Sequence, residues 1–135
     1  MSIAVRQTLI DTCLQMNQCG LNQGRAGNAA VRWQSGMLIS PTGLAYEALT
    51  PADIVFMQLD GSRPAGQRAP SSEWLMHAAI LQHRPDVGAV LHAHAPFCTV
   101  LACLRRDIPA FHYMVARAGG DSIRCSGYAT FGTLE

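Results

Sequence analysis

The sequence has few charged residues, and their two signs nearly cancel. Charged side chains make up 14% of the 135 residues, with ten basic residues against nine acidic ones. Because soluble domains usually carry about 25%, we expect apolar surface that a second subunit or a missing part of the chain covers. No basic stripe indicates nucleic-acid binding, and no block of like charge indicates a disordered tail.

Long apolar runs and paired cysteine motifs are also missing from the sequence. No stretch approaches the roughly 20 apolar residues that span a bilayer. Arg6 and Asp11 interrupt the N-terminal apolar pattern, so we expect that this segment is not a signal peptide. The five cysteines are odd in number and form no CxxC pair. We therefore expect a reduced, cytoplasmic protein without a membrane partner, folded as one domain over residues 1–135.

Apolar periodicity predicts a mixture of helices and strands. The predicted helices lie at about 3–18, from 70–73 to before Pro85, and at 96–105; the predicted strands lie at 28–40 (a hairpin), 54–59 and 87–94. Predicted core positions are Leu75, Ala78, Ala79 and Gln82 in the second helix and Val100, Leu101 and Leu104 in the third. Because hairpins pair antiparallel strands, we expect an α/β fold with a mixed, largely antiparallel sheet flanked by helices.

Histidines stand at the end of the strand at 87–94 and on the helix before it. His92 and His94 are two residues apart, so in an extended strand both side chains lie on one face. Two neutral imidazoles aimed at one point commonly hold a transition metal. The alternative is one packed and one solvated histidine. His77 shares a helix face with Glu73, and both a packed histidine and a supporting role are open.

The segment PSSE at 70–73 opens the second predicted helix. Serine is a preferred helix cap, so capping alone explains the segment. The alternative is an anion site, in which helix N–H groups and the hydroxyls of Ser71 and Ser72 bind phosphate while Glu73 carries a proton. The glycine-bearing loop at 24–28 is likewise either a turn or a second wall for a phosphate.

Taken together and in order, these segments resemble the class II aldolase/adducin family. They are GNAAVR at 27–32, ISPTG at 39–43, PSSE at 70–73 and HAH at 92–94. IPAFHYM at 108–114, the glycine pair at 119–120 and YATFGT at 128–133 resemble the branch of the family that acts on L-fuculose 1-phosphate. The resemblance implies a three-layer α/β/α fold with a mixed, largely antiparallel central sheet.

The resemblance also implies roles for individual residues. His92 and His94 would bind zinc, and Glu73 would act as the catalytic acid and base. The implied phosphate-binding residues are Asn28, Gly43, Ser71 and Ser72. Tyr113 would act at the aldehyde oxygen; it and Phe131 match positions that reach a neighbouring subunit's active site in a homotetramer.

The implied activity is zinc-dependent cleavage of a 1-phosphorylated ketose to dihydroxyacetone phosphate and an aldehyde. A pentulose-phosphate 4-epimerase or a thio-sugar-phosphate dehydratase of the same family is an alternative, although Glu73 stands where the epimerases have aspartate. A non-catalytic, adducin-like interaction domain is a further alternative. Retention of Glu73, His92 and His94 argues against it.

The sequence departs from the family pattern in two places. Arg25 stands where the aldolase branch has a small hydroxyl residue in the phosphate loop. The third zinc histidine is absent, because no histidine follows His112, whereas catalytic zinc usually has three protein ligands. We therefore expect a C-terminally truncated fragment or a shortened form, which binds zinc weakly and catalyses poorly.

Overall fold

A computed structural model describes residues 2–130 and 132–133. Helix α1 spans Ser2–Gln18, strands β1 and β2 span Asn28–Trp33 and Gly36–Ile39, strand β3 spans Val55–Gln58, helix α2 spans Trp74–His83, strand β4 spans Ala89–His92 and helix α3 spans Pro96–Cys103. Short 3-10 helices cover Tyr46–Ala48 and Tyr113–Ala118. The predicted elements are thus present, with ends shifted by a few residues. None of the described helices combines the length and apolar character that crossing a membrane requires.

The four strands form one sheet in the order β3-β2-β1-β4, with every neighbouring pair antiparallel. The predicted hairpin is confirmed as β1 and β2, which pair from Ala30 with Ile39 to Trp33 with Gly36. On its other edge β1 pairs with β4, which places Asn28 opposite His92. The register of this pair brings the start of one strand beside the end of the other.

Two apolar clusters lie on opposite faces of the sheet, as the alternation of strand side chains requires. One cluster joins the sheet to α2 and contains Ala30, Met37, Ile39, Val55, Met57 and Val90 with Ala78 and Leu81. The other joins the sheet to α1 and contains Ala29, Leu38 and Ile54 with Leu9, Ile10, Cys13 and Tyr46. The helices therefore cover opposite faces, and the predicted three-layer α/β/α arrangement is confirmed.

The buried face of α2 differs from the prediction. Ala78 is buried as expected, but Ala79 and Gln82 are exposed, and the other buried positions are His77 and Leu81. A histidine can take a core position when its ring is hydrogen-bonded, and His77 contacts the Asn28 side chain. The buried face of α2 therefore includes His77, whereas the predicted face included Ala79 and Gln82.

The inward face predicted for α3 is wrong. Val100 is 56% and Leu104 is 61% exposed, and no residue of α3 is buried. Leu101, the third residue predicted to face inward, is half-buried; it lies near Ile108 and Ile123 of the segment that follows the helix. Val100 and Leu104 remain on the surface of the described part of the chain.

Candidate active site

The two histidines at the end of β4 converge on one point. His92 is the last residue of the strand, and its Nε2 lies 2.9 Å from Nε2 of His94. The rings are almost perpendicular, at 89°. The backbone N–H of His94 donates to Oδ1 of Asn22 over 3.1 Å, which fixes the chain just beyond the strand. Both imidazoles thus direct a nitrogen at shared space.

Glu73 completes this cluster from the start of α2. Its Oε2 lies 3.2 Å from Nε2 of His92 and accepts a 2.7 Å hydrogen bond from Nδ2 of Asn28. Burial lowers the pKa of His92; the Glu73 carboxylate opposes this shift and His94 adds to it. Because the neutral imidazole is the form that binds metals, burial favours the ligand form.

The donor set fits a divalent metal such as zinc. The ligand atoms of Glu73, His92 and His94 all lie within 4.8 Å of one another. Ligand atoms around tetrahedral zinc are spaced by about 3.3 Å, given metal–ligand bonds of about 2.0–2.1 Å. Two imidazoles and a carboxylate are a donor set known from catalytic zinc centres. The third candidate donor among the described residues is therefore the carboxylate of Glu73.

A close backbone contact at Gly27 holds the cluster together. A Cβ at this position would lie 2.5 Å from the carbonyl oxygen of His92 and 2.4 Å from Nδ2 of Asn22. The hydroxyl of Tyr46 donates to the Gly27 carbonyl and accepts from Asn22 Nδ2 over 3.4 Å. Burial raises the pKa of Tyr46 to about 12, so the phenol keeps its proton. Gly27 lets the loop approach β4 closely enough to support the histidines.

A pocket of about 80 Å³ lies beside the carboxylate of Glu73. Its wall includes all four residues predicted to bind phosphate, namely Asn28, Gly43, Ser71 and Ser72. Gly43 adopts a φ of 76°, which favours glycine. Arg25 supplies a positive charge to the wall and donates from Nη1 to the carbonyl of Gly43 over 2.6 Å. The glycine loops and the start of α2 thus meet around one small polar space.

Ser71 lies in the turn just before α2, and it is not the helix cap that the sequence allowed. Its hydroxyl accepts a 3.2 Å hydrogen bond from the backbone N–H of Glu73, and Glu73 itself is the N-cap, without a side-chain cap hydrogen bond. Its own backbone N–H donates to the Ser40 carbonyl over 3.0 Å and is not free for an anion. Ser71 therefore supports the start of α2 while its side chain lines the pocket.

Tyr113 is not part of this site in the described residues. Tyr113 lies in the second 3-10 helix, is 76% exposed and lines a separate surface depression with Phe111 and His112. Phe131 lies outside the described residues. Their action at a neighbouring subunit's site remains a prediction.

Sequence reasoning missed Asn22 and left His77 undecided. Both are buried. Asn22 accepts from the backbone N–H of His94, whereas His77 contacts Asn28, which in turn donates to Glu73 of the cluster. Spacing gave a signal only for His77, four residues after Glu73. Asn22 carries no local signal, because the residue that it supports is far along the chain.

Comparisons with known proteins agree with this architecture. The family described as Class II Aldolase and Adducin N-terminal domain matches residues 7–135. The chain is 58% identical over 127 residues to the L-fuculose phosphate aldolase of Escherichia coli (strain K12), an alignment that covers 94% of this chain and 59% of that protein. It is 59% identical over 133 residues to the 5-methylthioribulose-1-phosphate/5-deoxyribulose-1-phosphate aldolase of Rhodospirillum rubrum, covering 98% of this chain and 60% of that relative.

A solved structure gives the same result for the fold. An L-fuculose 1-phosphate aldolase superposes with a TM-score of 0.91 at 41% identity, over 97% of this chain and 62% of the other. The chain thus spans 59% of the length of the first curated relatives it matches. With its helices, sheet and motif order all accounted for by this match, the chain belongs to the class II aldolase and adducin family.

Proposed function

We propose that the chain carries the metal-binding, phosphate-binding and acid/base groups of a class II aldolase. The proposed reaction is reversible cleavage of a 1-phosphorylated ketose into dihydroxyacetone phosphate and an aldehyde. The observation that carries the proposal is the meeting of the donor atoms of Glu73, His92 and His94 with a phosphate-sized polar pocket. Relatives at 58% and 59% identity are named as aldolases of phosphorylated ketoses, which supports this substrate class.

The metal-binding side of the site addresses the main barrier to cleavage. Breaking the carbon–carbon bond leaves an electron pair beside the substrate carbonyl, and this charge must be delocalised. A zinc ion held by His92 and His94 would supply Lewis acidity that stabilises negative charge on the substrate oxygens. The chain's own contribution is to aim the two imidazoles at one point, and the burial that lowers the pKa of His92 favours the neutral form of that ring.

Glu73 is proposed to carry the proton at the carbon that becomes nucleophilic. In cleavage that carbon retains the electron pair of the broken bond and receives a proton; in synthesis it loses the same proton. Asn28 and His92 both contact Oε2 of Glu73, and we assign the proton to Oε1. This assignment lets one carboxylate face the metal cluster and still transfer a proton.

The pocket is proposed to bind the phosphate of the ketose. The hydroxyls of Ser71 and Ser72 supply donors, and Gly43 lets the backbone approach the anion. Arg25 adds a positive charge, and its hydrogen bond to the Gly43 carbonyl orients the guanidinium along the wall. Binding the phosphate here would place the carbonyl end of the substrate next to Glu73.

Tyr113 and the oligomeric state form a separate part of the proposal. Tyr113 is exposed and lines a different depression from the pocket beside Glu73, which supports action at another subunit's site in a homotetramer. The exposed Phe97 and Phe111 provide apolar surface for such contacts. This surface agrees with the low charge of the sequence.

The test uses the 135-residue chain with a saturating concentration of zinc. Exchange of the proton beside the carbonyl of dihydroxyacetone phosphate into deuterated water is followed by NMR, because this step needs only the residues discussed above. Cleavage of L-fuculose 1-phosphate and of 5-deoxyribulose 1-phosphate is measured in parallel. We expect slow, zinc-dependent exchange by the wild-type chain and by Glu47→Gln, an exposed carboxylate control, but not by Glu73→Gln. Exchange by Glu73→Gln at the wild-type rate, or none by the zinc-loaded wild type, would refute the proposal.

A further inference from the structure

A chain of contacts leads from the interior of α2 to the carboxylate of Glu73. His77 is fully buried and lies four residues after Glu73 on this helix. Its Nε2 contacts Oδ1 of Asn28, and Nδ2 of Asn28 donates to Oε2 of Glu73 over 2.7 Å. Each end of the Asn28 amide therefore has a different partner.

The chemistry of these groups sets the direction of both hydrogen bonds. An amide oxygen accepts and cannot donate, so the proton between His77 and Asn28 belongs to Nε2 of His77. A carboxylate oxygen also only accepts, so the NH₂ group of Asn28 faces Glu73. A rotation of the amide by 180° would set its oxygen against the carboxylate. The carboxylate disfavours that rotation, and an N–H donated from His77 to Oδ1 disfavours it further.

The other ring nitrogen of His77 makes no stabilising contact at this buried position. Its Nδ1 is buried and has no hydrogen-bond partner in the described structure. A leucine would fill a core position of α2 without burying an unpaired nitrogen. Burial lowers the pKa of His77 to about 4, with the neighbouring His92 adding to the shift and Glu73 opposing it, so the ring stays neutral. The one polar contact that explains a histidine at this position is the bond to Asn28.

We propose that His77 is a positioning residue: its Nε2–H locks the Asn28 amide so that the amide NH₂ holds Oε2 of Glu73 against His92. The catalytic consequence rests on the proposed function. The metal-binding consequence rests only on the contacts between these four side chains. Without the His77 hydrogen bond, the Asn28 amide no longer holds the Glu73 carboxylate in place. Metal binding by the Glu73, His92 and His94 cluster is then weaker.

The test compares two replacements in the full 135-residue chain. His77→Gln keeps an N–H donor at a similar reach, whereas His77→Leu fills the space without a donor. Cobalt(II) is the probe, and its visible absorption reports both affinity and coordination. Outer partners of metal ligands typically contribute about 10–100-fold in metal affinity. We expect a loss of this size for His77→Leu and recovery to within about threefold of wild type for His77→Gln.

A double-mutant cycle separates positioning from general damage. Asn28→Ala is expected to weaken cobalt binding as much as His77→Leu, and the double variant no further, because both changes break one chain of contacts. Urea unfolding in EDTA reports stability separately; a metal-binding loss without a matching stability loss supports positioning. Should His77→Leu not fold, His77→Met, which also lacks an N–H donor, takes its place in the comparison and in the cycle.

The outcomes distinguish this proposal from the proposed function. Cobalt binding by His77→Leu with wild-type affinity and spectrum would overturn the positioning role while leaving the metal site intact. Additive losses in the double variant would also overturn it. Failure of the wild-type chain to bind cobalt would overturn both proposals. Proton exchange lost in His77→Leu and recovered in His77→Gln would extend the role from metal binding to catalysis.

Discussion

Acidification is expected to destabilise the folded chain through His77. Burial lowers the pKa of this histidine from 6.5 to about 4. In the unfolded chain the ring takes up a proton near pH 6.5, whereas in the folded chain it does so only near pH 4. Between these values the unfolded state binds more protons, so the free energy of unfolding decreases as the pH falls. The full effect corresponds to about 3 kcal/mol.

Urea unfolding in EDTA measures this effect without a metal contribution. About 2 kcal/mol of the loss is expected between about pH 7 and about pH 4.5. His77→Gln removes the titrating ring and keeps the donor to Asn28, so its stability should fall by correspondingly less. His83→Gln, an exposed histidine on the same helix, is the matched control and should follow the wild type.

Two other groups bear on the interpretation. Burial also lowers the pKa of His92, so a smaller dependence of the same sign remains in His77→Gln. The pKa of Asp53 falls to about 2, through hydrogen bonds from Thr50 and Arg68, so its stabilisation is lost only below about pH 4. Equal pH dependence in His77→Gln and wild type would refute the reasoning, since it would show that His77 is not the buried neutral group.

Three further predictions concern the site. His94→Ala removes one of the three donors and should reduce zinc affinity by more than the roughly 10–100-fold typical of outer partners, measured by titration calorimetry; unchanged affinity would exclude the cluster as the metal site. Arg25→Thr should weaken binding of inorganic phosphate severalfold and reduce its salt dependence, and equal binding by both chains would exclude Arg25 from the pocket's function. Gly27→Ala places a Cβ against the His92 carbonyl and should cost about 1–3 kcal/mol of unfolding free energy; Gly88→Ala, with no atom within 4 Å, should cost much less, and equal losses would contradict the packing argument.

The sequence predicted the parts of the fold that rest on local periodicity. The alternation in 28–40 gave the β1–β2 hairpin, and the apolar spacing in 3–18 gave α1. The inward face of α3 failed for a physical reason: periodicity identifies an apolar face, but only a packing partner buries it. Val100 and Leu104 lie on the apolar face of α3 and are exposed in the described part of the chain.

Only part of the candidate site could be predicted from the sequence. His92 and His94 follow from strand spacing, and their link to Glu73 and the phosphate loop came from the order of family motifs. The His77–Asn28 contact could not be predicted, because it depends on how α2 lies across the end of β1. His77 is polar, so the sequence alone does not predict that it is buried. Its contact with Asn28 explains why it can occupy a core position.

The register between β1 and β4 ties the metal cluster to the phosphate pocket. Asn28 is opposite His92 in that register, and it contacts Glu73 while lining the pocket. A slip of one residue would move these positions by about 3.3 Å and turn the side chain of Asn28 to the other face. Neither its bond to Glu73 nor its contact with His77 would survive that change. Sheet pairing, rather than the loops alone, therefore determines whether proton carrier, metal ligands and phosphate wall meet.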